Sequence, residues 1–261
     1  MALHRPVALV TGSAQGLGLG SARALAQKGF DVVVSDLHPE SDVAATLDDL
    51  RQFGTTIAYR TLDISDLDSH AAVLSSIADE FGRLDALVNN AGIAARPLTD
   101  ILELGTEGFD RSVNINLRGT FFLTQAFANL LIARGWTGFD SYRSIVIVSS
   151  IAAEMVNTDR AQYCVTKSAL SMVTKLFARR LAEYGIHVHE IRPGFMRTPM
   201  TASAGRSVVD DWIDDKRVPI PRWGEPNDVG EAIASLASGA LPYMTGQPLW
   251  IAGGLNLPLA P

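Results

Sequence analysis

Thr11-Gly12-Ser13-Ala14-Gln15-Gly16-Leu17-Gly18 carries the strongest local signal in this chain. The apolar run Val7–Val10 leads into it, and a helical pattern opens directly after it. Glycines at such a junction permit a tight turn, let backbone approach a pyrophosphate and allow close helix-on-strand packing, while free N–H groups at the helix start meet phosphate charge. A lone Gly-rich turn is weak evidence. Here the next β-branched run ends in Asp36, about 20 residues on, as a dinucleotide-binding fingerprint requires.

Working outward, the same rhythm of short β-branched run, turn and longer amphipathic stretch repeats from end to end. Strands are expected at Val7–Thr11, Asp31–Asp36, Thr56–Leu62, Leu84–Asn89, Ser144–Ser149, Ile186–Arg192 and Pro248–Ala252. Most are near-continuously apolar, as strands covered on both faces should be. Helices are expected near 17–29, 41–53, 66–82, 107–134, 160–184 and 226–238. The fold class that follows is α/β: a single doubly wound Rossmann domain over 1–261, with a seven-stranded parallel sheet and helices on both faces.

Two features stand apart. The helices 107–134 and 160–184 are apolar on more than one stripe, which predicts a homo-oligomer, tetramer or dimer, formed through them. The stretch 199–225, with Pro199, Pro219, Pro221 and Gly224, breaks the rhythm after a strand end and reads as a substrate lid, the plainer reading being a packed surface excursion.

Composition excludes several function classes. With 47% hydrophobic residues in 261, the chain can bury a substantial core, so disorder is out. A net charge of −6 with no run of Lys or Arg gives no footprint for nucleic acid or an anionic membrane. Val7–Val10 is too short for a signal-peptide core, which points to a cytoplasmic protein. One cysteine, Cys164, cannot form an intramolecular bridge, and the five histidines show no metal-ligand spacing, so no metal is expected. Cys164 reads as a small packing group; His187 and His189, alternating on one strand, lack a third ligand; Asp210, Asp211, Asp214 and Asp215 read as a solvated lid face.

Asp36 bears on cofactor choice. Its carboxylate can accept from both ribose hydroxyls of NAD but would face the 2′-phosphate of NADP. Like charges about 4 Å apart at an effective dielectric near 20 repel by roughly 4 kcal/mol unless a cation intervenes. Neighbouring Gln15 and Leu37 supply none, so NAD is the expected cofactor.

Further along come Asp63 and Ile64 after the third strand, Asn89-Asn90-Ala91-Gly92 after the fourth, Asn116, Ser150, Tyr163-x-x-x-Lys167, and Pro193-Gly194 followed by Met196 and Thr198. Ser150 lies thirteen residues before Tyr163. In this ordered set the chain resembles the short-chain dehydrogenases/reductases from about Arg5 to Asn256. The resemblance implies hydride transfer between a secondary alcohol and nicotinamide, with Asn116, Ser150, Tyr163 and Lys167 as the catalytic set. Ser150 would hydrogen-bond the substrate oxygen, and Asn116 would hold a water linking Lys167 to solvent. Lys167 would also bind nicotinamide-ribose hydroxyls, Asp63 the adenine edge, Asn90 the adenosine ribose region and Thr198 the carboxamide. Gly12, Ser13, Gln15, Gly16, Leu17, Gly18, Asp36, Leu37, Ile64, Ala91, Gly92, Tyr163, Pro193, Gly194 and Met196 complete the implied cofactor contacts.

The implied chemistry is physically reasonable. A bare tyrosine with a pKa near 10 is rarely ionised at neutral pH. Lys167, one helical turn from Tyr163, shares its face, and a cation about 4 Å away could favour the phenolate by up to roughly 4 kcal/mol. Each residue alone also has a structural reading: Ser150 as strand terminator, Asn116 as helix hydrogen-bonder, Thr198 as turn residue.

Substrate does not follow from fold. Ala152, Phe195 and Trp212 are expected to line the substrate side, together with Arg96, Arg160, Arg197 and Arg206, of which one or two could pair with a carboxylate or phosphate. NAD use favours a catabolic dehydrogenase of a sugar, acidic sugar, polyol or hydroxy acid. The alternative is a 3-oxoacyl-carrier-protein reductase, whose sequences this one also resembles. A non-enzymatic dinucleotide sensor is a third class, which would not need the catalytic set. Two departures stand out: Ala252 where relatives often carry Asp after the last strand, and a roomy connection at 136–143.

Overall fold

A computed structural model describes residues 5–138, 141–201 and 207–257, and Arg206 lies outside them. Seven parallel strands form one sheet in the order β3-β2-β1-β4-β5-β6-β7. They are β1 (Val7–Thr11), β2 (Asp31–Asp36), β3 (Ile57–Thr61), β4 (Ala86–Asn89), β5 (Arg143–Val148), β6 (Ile186–Pro193) and β7 (Pro248–Ile251). The helices are α1 (Gly16–Gln27), α2 (Glu40–Arg51), α3 (His70–Phe81), α4 (Thr106–Ser112), α5 (Thr120–Ala133), α6 (Ala161–Leu181), α7 (Val208–Asp214) and α8 (Pro226–Ala237).

Strand alternation builds two cores. Ala8, Val10, Val32, Val34, Val88 and Val146 face one way and meet α1, α2 and α8; Val7, Leu9, Val33, Leu87, Ile145 and Val188 face the other and meet α3, α5 and α6. A third, smaller cluster joins Ile151, Val218, Ala252 and Leu255 to Phe195, Trp212 and Trp250 beyond the sheet's carboxyl edge. Helix α8 starts where the sequence places it because Glu225 and Asp228 form a reciprocal capping box around Pro226 at its first turn.

The structure refines three expectations. β4 starts at Ala86 rather than Leu84. Asp85 is buried there, accepts the Val7 N–H at 2.8 Å, and pairs with Arg83 at 2.7 Å and Arg143 at 2.9 Å. The expected helix 107–134 is α4 and α5 joined by a π-helical segment, Val113–Gly119. The connection at 136–143 also finds a purpose in Tyr142, whose ring stacks on His187 at 4.5 Å and whose hydroxyl meets His189 Nε2 at 2.9 Å. Burial and the neighbouring His187 push His189 down to about 4, so its ring is neutral in the fold.

Candidate active site

β1 ends in the glycine turn, whose geometry is fixed from several sides. Gly12 has φ +60°, and a Cβ there would lie 2.8 Å from the Ala91 Cα, while one on Gly18 would collide with the Gly12 carbonyl and stand 2.6 Å from Asn90 Nδ2. Asn90 donates from Nδ2 to the carbonyls of Thr11 and Gly12, both at 2.9 Å. Thr11 Oγ1 in turn accepts the N–H groups of Asn90 and Ala91 at 3.1 and 3.0 Å. Asn90 and Ala91 therefore hold the turn from below. Ser13 is fully buried, donating to the Val10 carbonyl at 2.7 Å and accepting from Ser35 N–H at 3.0 Å, so its side chain braces β1 against β2.

The crevice above this turn suits a dinucleotide. No side chain caps the start of α1 at Gln15, no acidic residue occupies its first turn, and its N–H groups face the crevice mouth uncontested. Gly16, with φ +57°, faces Thr198 and Pro199 across the opening, at distances a Cβ would reduce to 3.7 Å. Asp36 at the end of β2 accepts from the Ala14 N–H at 3.1 Å and the Leu37 N–H at 2.8 Å, which fixes its carboxylate at the crevice rim beside exposed Leu37. Asp63, exposed at the end of β3, accepts from Ser65 N–H at 2.8 Å. Ile64 is buried and reaches the site only as a wall.

The catalytic candidates come together at the ends of β4 and β5. Ser150 lies two residues beyond β5; its Oγ accepts the Ala152 N–H at 3.1 Å, and it adjoins Tyr163, whose ionisation it favours. Lys167 is buried, donates from Nζ to the Val148 carbonyl at 2.9 Å, and stands 5.6 Å from the Tyr163 ring centre. Asn116 lies within the π-helical segment, where its Oδ1 accepts from Ile93 N–H at 2.8 Å and its Nδ2 donates to the Ile93 carbonyl at 3.0 Å. π-helical turns recur at functional sites, and here the turn brings Asn116 against the loop that leaves β4. A Cβ on Gly92 would sit 2.9 Å from Asn116 Oδ1 and 3.8 Å from Lys167 Nζ, so only glycine leaves that corner open.

One electrostatic expectation is corrected. Burial, not the lysine, dominates Tyr163: it pushes the phenol up, while the Ser150 hydrogen bond and the Arg160 charge pull the other way. Burial likewise draws Lys167 down from its ordinary 10.5 to about 8, with Glu190 opposing. Burial thus works against the charged form of both residues.

Pro193 ends β6, and Gly194 approaches Ala252 so closely that a Cβ would come within 2.7 Å of the Ala252 Cα. Ala252 thereby packs where a carboxylate was expected. The Met196 side chain is buried in the core and lies against Gly224. Thr198 receives Thr201 Oγ1 on its N–H at 3.0 Å.

On the substrate side, Phe195 and Trp212 meet edge-on at 5.7 Å. Two of the arginines are committed elsewhere. Arg96 donates to the Met200 carbonyl at 2.8 Å, and Arg197 pairs with Glu225 at 3.4 Å beneath the Trp223 ring. Arg160 is exposed and adjoins Tyr163, whose ionisation its charge favours. The acidic residues of 208–215 are not merely solvated: Asp210 caps its own helix through Ser207 and takes the Trp223 Nε1–H at 2.7 Å. Cys164 Sγ points at the carbonyls of Met155 and Asn157, as a packing group would.

Sequence reasoning missed Glu190 and Arg192, both buried on β6 and hydrogen-bonded to Ser171, with Ser149 also on Glu190. Their signal was present: two opposite charges two residues apart within a strand of the sheet.

The family described as enoyl-(acyl carrier protein) reductase matches residues 12–256. The 3-oxoacyl-(acyl-carrier-protein) reductase of Thermotoga maritima is 32% identical over 98% of this chain and 99% of its own. The 2-dehydro-3-deoxy-D-gluconate 5-dehydrogenase of Dickeya dadantii is 34% identical over 97% of this chain and 96% of its own. The crystal structure of a 3-oxoacyl-(acyl-carrier protein) reductase from Brucella melitensis in complex with NAD is 41% identical, with a TM-score of 0.93 over 98% of this chain and 99% of that one. With seven strands in this order and relatives matching end to end, the chain belongs to the short-chain dehydrogenases/reductases, oxidoreductases that act on CH–OH groups with NAD or NADP.

Proposed function

We propose that this protein is an NAD-dependent dehydrogenase of a secondary alcohol in a sugar, acidic sugar, polyol or hydroxy acid. The observation that carries the reading is the convergence of Ser150, Tyr163 and Lys167 at the end of β5, on the crevice whose far rim holds Asp36. Gly12, Gly16, Gly18 and the open start of α1 would hold the pyrophosphate, Asp36 the adenosine ribose, and Lys167 with Thr198 the nicotinamide end. The dinucleotide supplies the hydride acceptor when bound. Ser150 would hold the alcohol oxygen, and Tyr163, acting as the phenolate that the Lys167 charge favours, would receive its proton. Asn116, tied to Ile93 at two points, fixes the corner beside Lys167.

An anionic group on the substrate is supported by Arg160, whose charge, among the described arginines of the expected set, reaches Tyr163. The name of the Dickeya relative, which acts on an acidic sugar, agrees. A second reading, 3-oxoacyl-carrier-protein reduction, is favoured by the Brucella relative. That protein is complexed with NAD, so NAD use does not separate the two readings. Exposed Val165, Met172 and Leu176 on α6 support a homo-oligomer through the 107–134 and 160–184 helices, in a cytoplasmic setting.

Initial rates of NAD reduction against sugars, acidic sugars, polyols, hydroxy acids and hydroxyacyl thioesters, with NADP in parallel, test this. Turnover of an acidic sugar or hydroxy acid with NAD is expected, with Tyr163→Phe lowering kcat by about a thousandfold at unchanged NAD affinity. Turnover of the thioesters alone would favour the second reading, and an active Tyr163→Phe enzyme would remove the proposed base.

A further inference from the structure

Glu190 and Arg192 form an ion pair inside the protein, 1% and 4% exposed, on a strand whose Ile186, Val188 and Ile191 feed the two cores. Buried ion pairs add little net stability over well-packed apolar residues of similar volume. Stability alone therefore does not account for this one.

Two of the three side chains on the carboxylate, Ser149 and Ser171, lie on segments that carry the catalytic set. Glu190 Oε1 accepts from Ser149 Oγ at 2.5 Å, from Ser171 Oγ at 2.8 Å and from Arg192 Nε at 2.6 Å. Ser149 immediately precedes Ser150, and Ser171 lies one helical turn beyond Lys167 on α6. Arg192 also donates to Ser171 Oγ at 2.9 Å, pairs with Glu154 on the turn after Ser150, and stacks 4.7 Å over Trp250 from β7.

We propose that Glu190 is a positioning residue for proton transfer: its carboxylate ties the Ser150 end of β5 to the Lys167 face of α6 and supplies the negative charge against which the buried Lys167 ammonium is held. This rests on Tyr163 and Lys167 being the proton-transfer pair. The charged groups facing Glu190 are Arg192 on its own strand and Lys167 from α6, with Glu154 reached through Arg192; β5 contributes Ser149 and β7 contributes Trp250, neither of them charged. Glu190 acts on Lys167 against burial and does not figure among the influences on Tyr163, so its loss is felt first at the lysine.

Glu190→Gln alone would leave a buried guanidinium unpaired, so the test is Glu190→Gln with Arg192→Met. Ser171→Ala serves as a milder variant that keeps the ion pair and cuts one tie to α6. Two profiles are recorded between about pH 6 and 10: kcat/KM with the fastest substrate of the panel, and the melting temperature of cofactor-free protein. Lys167 sits at about 8 in the fold against an ordinary 10.5, so the unfolded chain binds the extra proton in that window. The stability burden is complete below about pH 8 and lifts as pH rises through the window. In the double variant, the alkaline fall of kcat/KM and the onset of the melting-temperature rise should both move down by about one pH unit. Lys167→Met, as reference, should lack that rise. Ser171→Ala should lower kcat by about three- to tenfold with KM little changed. Profiles that overlay the parent's after a uniform loss of melting temperature would overturn the electrostatic role, and a parent-like kcat in Ser171→Ala would overturn the tie. An active Tyr163→Phe enzyme instead removes the underlying assignment, whereas the melting curves judge Glu190 without reference to turnover.

Discussion

The two walls of the crevice are made of different material. The wall formed by the ends of β1, β2 and β4 is mainly backbone: glycines without room for a Cβ, N–H groups of α1, and Asn90 holding two carbonyls. The wall formed by Phe195, Trp212, Trp223 and the arginines is side chain, and those side chains pair with one another, Phe195 with Trp212 and Trp223 with Asp210. Backbone walls answer to steric limits that admit few residues; side-chain walls answer to whatever fits. The first should be intolerant of substitution and indifferent to substrate, the second the reverse.

Three changes probe that contrast. Gly18→Ala has the largest expected effect, because its Cβ would collide with the Gly12 carbonyl and crowd Asn90 Nδ2. We expect a stability loss of about 3 kcal/mol and NAD binding weakened by at least about a hundredfold, read by thermal melting and cofactor titration. Near-normal values would mean that the turn yields and that the backbone wall is softer than described. Asp36→Asn comes next: the carboxylate is oriented by Ala14 and Leu37, and its removal should shift the NAD to NADP preference in kcat/KM by about ten- to a hundredfold toward NADP. An unchanged ratio would place cofactor choice elsewhere. Trp212→Ala should have the smallest effect, raising substrate KM by about tenfold while NAD affinity stays within about twofold. If NAD binding fell as far as substrate binding, the two walls would not be separable.

This division also explains what could be read from the residues alone. The glycine turn, Asp36, Ser150 and the Tyr163–Lys167 spacing were legible because each answers to a local rule of turn, strand end or helix face. The seven parallel strands followed from the same regularity. The substrate wall was less legible. Arg96 and Arg197 looked like candidates for an anion, yet a carbonyl and a carboxylate contributed by distant segments engage them. Met196 sat in a motif but turned into the core because Gly224 leaves it space. The balance of charge at Tyr163 was also hidden, since the depth of burial that outweighs Lys167 is a property of the assembled crevice.

The π-helical segment between α4 and α5 has a consequence for the outer surface. Hydrogen bonds from i to i+5 take in one more residue than an α-turn, and one residue is about 100° of rotation in an α-helix. A side-chain face on Thr106–Ser112 is therefore out of phase with one on Thr120–Ala133. The later length turns Leu123, Phe127 and Leu131 into the core. Those seven residues work as a change of gear in a single shaft. A uniformly α-helical version would have to choose between pointing Asn116 at Ile93 and seating Phe127 against the sheet.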